Sequence, residues 1–197
     1  INVLEERQAA AQAAGDSELV QVNAEALFND GFSFVGGNPD GDITVVEFLD
    51  YRCGYCKRAH PEVTELIASD GNIRYIIKEF PILGEQSVLA SRFAIAVKEV
   101  EGADAYLETH DTLMTMRGEV SEAALSNLSE ELGYDTPKVF DAMNSDAVQN
   151  QIAENRRLAQ RLQINGTPSF IFETQMLRGY APLDAMREVV QELRAEG

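Results

Sequence analysis

Both cysteines of this 197-residue chain lie two residues apart, in Leu49-Asp50-Tyr51-Arg52-Cys53-Gly54-Tyr55-Cys56-Lys57-Arg58. They sit where a nearly continuous apolar, β-branched run, Ile43 to Leu49, gives way to a helical pattern. The run reads as a central strand covered on both faces. A cysteine opening the following helix meets unpaired N–H groups and the positive end of the helix dipole, which favour its thiolate. The second cysteine lies one turn further in, close enough to close a disulfide and more shielded from solvent. A strand that ends in a dithiol and opens a helix points to redox chemistry.

The rest of the pattern builds outward from that junction. Gly54 to about Ser69 carries Ala59, Val63, Leu66 and Ile67 on one helical face, with a kink expected at Pro61. Gly71-Asn72 turns the chain, and Ile73 to Phe80 reads as a second strand ended by Pro81. Strand, helix, strand in this order implies a parallel, right-handed unit. Upstream, residues 1–30 read as helical, broken at Gly15-Asp16-Ser17. Asn29-Asp30-Gly31 is then a turn and Phe32 to Val35 a short strand. This N-terminal segment would pack on the domain or pair with a second copy.

Residues 85–163 show four or five helical patterns with no strand, among them one capped by Ser121. They read as a helical insertion with its own small core. Asn165-Gly166 is expected to end the last of these helices. Ser169 to Phe172 and Met176 to Gly179 form a hairpin, and Pro182 opens a final helix.

Composition narrows the class. Apolar residues make up 45% of the chain, enough for a sizeable core. A net charge of −17 argues against nucleic acid and anionic membranes as partners. No apolar run approaches the roughly 20 residues that span a bilayer, and no signal peptide is visible. The chain begins with Ile1 rather than Met, as expected of a processed or trimmed form whose address has been removed. Two cysteines form one pair, so their spacing matters more than their number.

A lone Cys-x-x-Cys reads as a redox pair, half a zinc site or coincidence. Only His60 and His110 could complete the four ligands of structural zinc. Arg52, Lys57, Arg58 and His60 make a basic neighbourhood in an acidic protein, able to favour a Cys53 thiolate. Glu47 is the odd residue of the central strand. Buried there, it would have a raised pKa and could pass a proton to or from Cys56. Pro168, just before a core strand, is a candidate cis proline whose backbone edge, with Thr167, would pair with an extended substrate. His110 reads as structural.

Three stretches, Val45 to Lys57, Lys78-Glu79-Phe80-Pro81-Ile82-Leu83 and Gly166-Thr167-Pro168-Ser169-Phe170, resemble the DsbA-like thiol–disulfide oxidoreductases of the thioredoxin superfamily. The likeness is to the branch with Com1-type and ScsC-type proteins. It implies an α/β protein with a thioredoxin fold, formed by residues 31–84 and 164–197. A helical domain, 85–163, would be inserted in the middle of the chain, and an N-terminal helical segment, 1–30, would precede it. It implies Cys53 as the attacking thiol, Cys56 as the resolving one, Glu47 as the buried acid with Lys78 as its partner, and a cis Pro168. Gly54 and Tyr55 replace the Pro-His of well-known oxidases and would shape substrate contact. The resemblance further implies no cofactor beyond a Cys53–Cys56 disulfide, a periplasmic location and cysteine-containing protein substrates. The membrane redox partner would be a DsbB-like oxidant or a DsbD/ScsB-like reductant, and residues 1–30 would serve as a homo-oligomerising arm. The resemblance implies an oxidase or a disulfide isomerase, and the rival reading is a periplasmic chaperone or binding module with a merely structural disulfide.

Overall fold

The computed structural model describes residues 2–197. Five strands, β1 (Phe34–Gly37), β2 (Ile43–Leu49), β3 (Ile73–Glu79), β4 (Ser169–Phe172) and β5 (Gln175–Arg178), form one sheet in the order β1-β3-β2-β4-β5. β2 and β3 are parallel, joined through helix α3 (Gly54–Asp70), and the other pairs are antiparallel. The central strand and the parallel unit are as expected. β1 lies two residues later than Phe32 to Val35, because Asp30 accepts bonds from the Phe32 and Ser33 amides and holds them in a turn.

Side-chain alternation along β2 and β3 decides what the sheet presents on each side. Val45, Leu49, Tyr75 and Ile77 face one core, under α3 and the C-terminal helix α9 (Leu183–Glu196). Val46, Phe48 and Ile76 face the other, under α1 (Val3–Val22), α2 (Ala24–Phe28) and α8 (Asp146–Arg161).

Between β3 and β4 run α4 (Glu85–Glu101), α5 (Ala103–Thr115), α6 (Glu122–Glu131), α7 (Thr136–Met143) and α8. Ser121 caps α6 as expected, accepting from the Ala124 amide. The separate core expected for these helices is not there. Phe93, Leu113, Leu125, Val139 and Val148 join the cluster that holds Val45 and Ile77, because α4 packs against α5, α6, α7 and α8 and meets β3 through the Ser91–Glu79 bond.

Two helix ends also differ. α1 runs unbroken through Gly15-Asp16-Ser17. A helical glycine costs only about 1 kcal/mol, whereas Asp16 is buried and paired with Arg178 of β5 at 2.8 Å. α8 stops at Arg161, before Asn165-Gly166, with Gln163 in the left-handed conformation. Within α3, Pro61 sits inside the helix without ending it.

The Asp16–Arg178 pair leads to a prediction. Arg178→Ala should cost about 2 kcal/mol, because it strands a buried carboxylate. Amide exchange should quicken across Val3–Val22 while β2 and β3 stay protected. Unchanged exchange in α1 would show that the pair does not hold it.

Candidate active site

Cys53 occupies the N-cap of α3, and its Sγ accepts the Cys56 amide at 3.4 Å. Leu49 to Cys53 carry the chain from the sheet to this cap, with the Cys53 amide donating to the Asp50 carbonyl. Both cysteines are free thiols; Cys53 is 8% exposed and Cys56 1%. The Cys53 pKa is lowered to about 5, first by its bond with the Cys56 thiol, then by the Thr167 side chain and by the helix-terminal amides of Cys56 and Tyr55. Cys56 moves the opposite way, pushed up by that same thiol pairing and by burial. The two sulfurs are three residues apart with opposite protonation preferences.

The Thr167–Pro168 peptide is cis, and the Thr167 carbonyl oxygen lies 3.3 Å from Cys53 Sγ. Pro168 precedes β4, so the loop that carries it is anchored to the strand beside β2. Gly54 and Tyr55 stand in solvent over the thiols; Tyr55 is 61% exposed.

Beneath them, Glu47 is buried and accepts a bond from Tyr75 Oη at 2.9 Å. Burial raises its pKa to about 7 against the opposing pull of that hydroxyl. Its charge in turn pushes Cys56 upward.

Lys78 is not the partner of Glu47. β2 and β3 pair Glu47 with Ile77 and Phe48 with Lys78, so Lys78 emerges on the opposite face. There its ammonium is buried and bonded to Asp30 and to the Ala26 carbonyl oxygen, the latter at 2.9 Å.

The basic residues around Cys53 point to other partners. Lys57 Nζ donates to the Leu113 and Met116 carbonyls at the end of α5, where helix carbonyls lack partners. Arg52 donates to the Gly118 carbonyl, Arg58 lies over the Tyr180 ring, and His60 faces Asp111. These residues fasten α3 to the elements around it. Cys53 owes its low pKa to Cys56, Thr167 and the helix terminus.

Three buried acidic or aromatic groups escaped the sequence reading. Asp50 accepts from the Arg52, Ile82 and Leu83 amides and from Ser87 Oγ, all within 3.1 Å. Glu79 accepts from Tyr51, Tyr106 and Ser91, and burial lifts its pKa to about 7. Tyr51 also meets His110 Nδ1 at 3.1 Å. Period-two alternation from Ile77 places Glu79 on the Glu47 face, a signal available in the sequence. Asp50 followed by two turn residues is another.

Residues 44–191 match the family described as the DSBA-like thioredoxin domain. The chain belongs to that family.

Within solved DSBA-like structures, a thioredoxin-like oxidoreductase from Silicibacter pomeroyi DSS-3 is 40% identical, with a TM-score of 0.81 over 87% of this chain and 97% of that one. A linker-deletion mutant of Proteus mirabilis ScsC is 27% identical, with a TM-score of 0.86 over 98% of this chain and 89% of that one. The DsbA-like, ScsC-type resemblance and the thioredoxin-like fold are borne out. The chain also matches the Na(+)/H(+) antiporter NhaA 1 of Salinispora arenicola (strain CNS-205), at 30% identity over 156 residues. That match covers 79% of this chain but only 24% of the antiporter's length.

Proposed function

We propose that this DSBA-like protein exchanges disulfides with cysteine-containing proteins outside the cytoplasm, through Cys53-Gly54-Tyr55-Cys56. The observation that carries this reading is the split between the two thiols, one poised as a thiolate at the rim and one buried and protonated. A structural disulfide has no use for that asymmetry, which weighs against a chaperone or binding module whose bridge only braces the fold.

A substrate thiolate attacks Cys53 Sγ of the oxidised protein. The Cys53–Cys56 bond breaks, and Cys56 leaves with the electron pair and takes a proton, which we assign to Glu47. The substrate's second thiolate then attacks its own sulfur in the mixed disulfide, and Cys53 leaves as a thiolate that needs no proton at neutral pH. Two electrons pass from substrate to protein. A leaving thiol of low pKa speeds that last step, and a stabilised thiolate favours the reduced protein. Both support net oxidation of substrates.

The cis Thr167–Pro168 edge beside Cys53 supports its assignment as the ledge for an extended substrate segment. Tyr55 and Gly54 would border that segment. We place the protein in the periplasm, recharged by a membrane redox partner. Val3 and Leu4 are exposed at the start of α1, which supports a self-associating arm. Among the described residues no helix is long and apolar enough to cross a membrane.

Titrating the thiolate absorbance of the reduced protein tests the site. The expected midpoint is about 5, against an ordinary value near 9. The folded thiol loses its proton before the unfolded one, so the reduced form gains a stabilising contribution. That contribution is complete above the unfolded value and is lost as pH falls through about 5. The oxidised form lacks the thiol and this dependence. A midpoint near 9 would favour a structural disulfide.

A further inference from the structure

One cluster near the dithiol takes no part in the exchange. His60, four residues beyond Cys56 on α3, and His110 and Asp111 on α5 bring one ligand atom each within 4.8 Å of one another. Among the described residues this is the only grouping of three or more His, Cys, Asp or Glu with such spacing. It borders a cavity of about 190 Å³ whose other walls include Phe34, Val63, Ile67 and Leu107.

We propose that His60, His110 and Asp111 form a zinc(II) site, with the fourth coordination position open to this cavity. Two imidazoles and a carboxylate are ligands that zinc accepts, and three protein ligands leave room for water or a small exogenous donor. Neither cysteine belongs to the set, so the site is distinct from a zinc reading of Cys-x-x-Cys.

The geometry is close to what the ion needs. Ligand atoms at zinc's usual 2.0–2.1 Å bond length sit roughly 3.4 Å apart around a tetrahedron. His60 Nε2 and Asp111 Oδ1 are already 3.2 Å apart. His110 brings its ligand atom within 4.8 Å of both.

Hydrogen bonding sets the tautomer of the third ligand. Tyr51 Oη donates its one proton to Glu79 Oε1 at 2.7 Å. Its oxygen therefore accepts from His110 Nδ1–H at 3.1 Å. This leaves a lone pair on His110 Nε2. A carboxylate acting through a hydroxyl to fix the far nitrogen of an imidazole is the kind of outer-shell support that metal-binding histidines use.

The Asp111 side chain is 53% exposed, which gives the ion a way in.

The test uses the oxidised, chelator-stripped protein, in which the disulfide removes both thiols from competition. Calorimetric titration with zinc chloride should show one ion per chain. Asp111→Asn and His60→Gln should each weaken binding at least tenfold. Both replace residues outside the fully buried core, and far-ultraviolet circular dichroism checks their folding. Cobalt(II) should give a visible spectrum of tetrahedral nitrogen and oxygen coordination, without a thiolate charge-transfer band. Absence of stoichiometric binding by the oxidised protein would overturn the site, as would undiminished binding in both variants. Binding confined to the reduced protein would place the metal on the cysteines and overturn it too.

Discussion

Replacing Cys53 with alanine is expected to bring disulfide exchange down to the uncatalysed background, a loss on the order of a thousandfold or more. Cys53 is the only thiol at the rim, since Cys56 is 1% exposed and protonated across the neutral range. Without Cys53, a substrate thiolate has no disulfide to attack and the remaining thiol is a poor nucleophile. The fold should survive: the side chain lost is small, and an alanine N-cap costs about 1 kcal/mol. Insulin reduction and oxidative refolding of a reduced substrate are the measurements. Cys56→Ala provides the contrast. It keeps the Cys53 thiol at the helix terminus, less stabilised as a thiolate without its Cys56 partner, but cannot resolve the intermediate, so mixed disulfides with substrates should accumulate on non-reducing gels. Full activity in Cys53→Ala would refute the assignment. Equal trapping by the two variants would show that the thiols are not differentiated.

The second large effect is on stability. Asp50→Ala should destabilise the protein by about 4 kcal/mol and lower its Tm by roughly 10 °C. Asp50 is fully buried, and its two oxygens serve three amides and one hydroxyl: Arg52, Ile82, Leu83 and Ser87. Truncation orphans all four donors at once. Bonds to a charged acceptor contribute about 1.5–3 kcal/mol each but are not additive within one network, which keeps the sum below their arithmetic total. Asp50→Asn discriminates between charge and shape. Its NH₂ group would face the Ile82 and Leu83 amides or the Arg52 amide and the Ser87 hydroxyl, setting donor against donor, so it should cost nearly as much as alanine. Guanidinium unfolding of the oxidised protein measures both. A harmless Asp50→Asn would show that the carboxylate is not what ties β2 to the turn after β3.

The remaining buried acids follow from the same sheet. Glu47 and Glu79 share a face and are each lifted to about 7, while each is hydrogen-bonded by a tyrosine. For both, the folded carboxyl holds its proton above the unfolded value. Their burial therefore costs stability increasingly as pH rises from about 4.5 through 7. The slope is opposite in sign to that of Cys53. Unlike that of Cys53, it persists in the oxidised protein.

Much was legible in the residues themselves. Ile43 to Leu49 is the central strand, the Cys53 cap opens α3, and the helices between β3 and β4 interrupt the sheet where expected. These are local matters: an apolar β-branched run, a helix period and turn residues act over a few neighbours. Glu47 was conspicuous because a carboxylate inside such a run has no local explanation. Local rules fail where distant partners compete with them. Gly15 looked like a break, yet Arg178, 162 residues away from Asp16, holds that aspartate in the helix. Lys78 looked like the partner of a buried acid, but strand register put it on the other face with Asp30.

What the chain order alone determined was the dithiol at a strand–helix junction, hence a thiol at a helix terminus with a second one turn inward. The direction of its tuning depended on more. Cys56 and Thr167, not the charged residues beside it in sequence, set the Cys53 thiolate, because hydrogen bonds act at about 3 Å and the neighbouring cations turn away to satisfy carbonyls elsewhere. Thr167 is 114 residues from Cys53, and only the pairing of β4 with β2 brings them together.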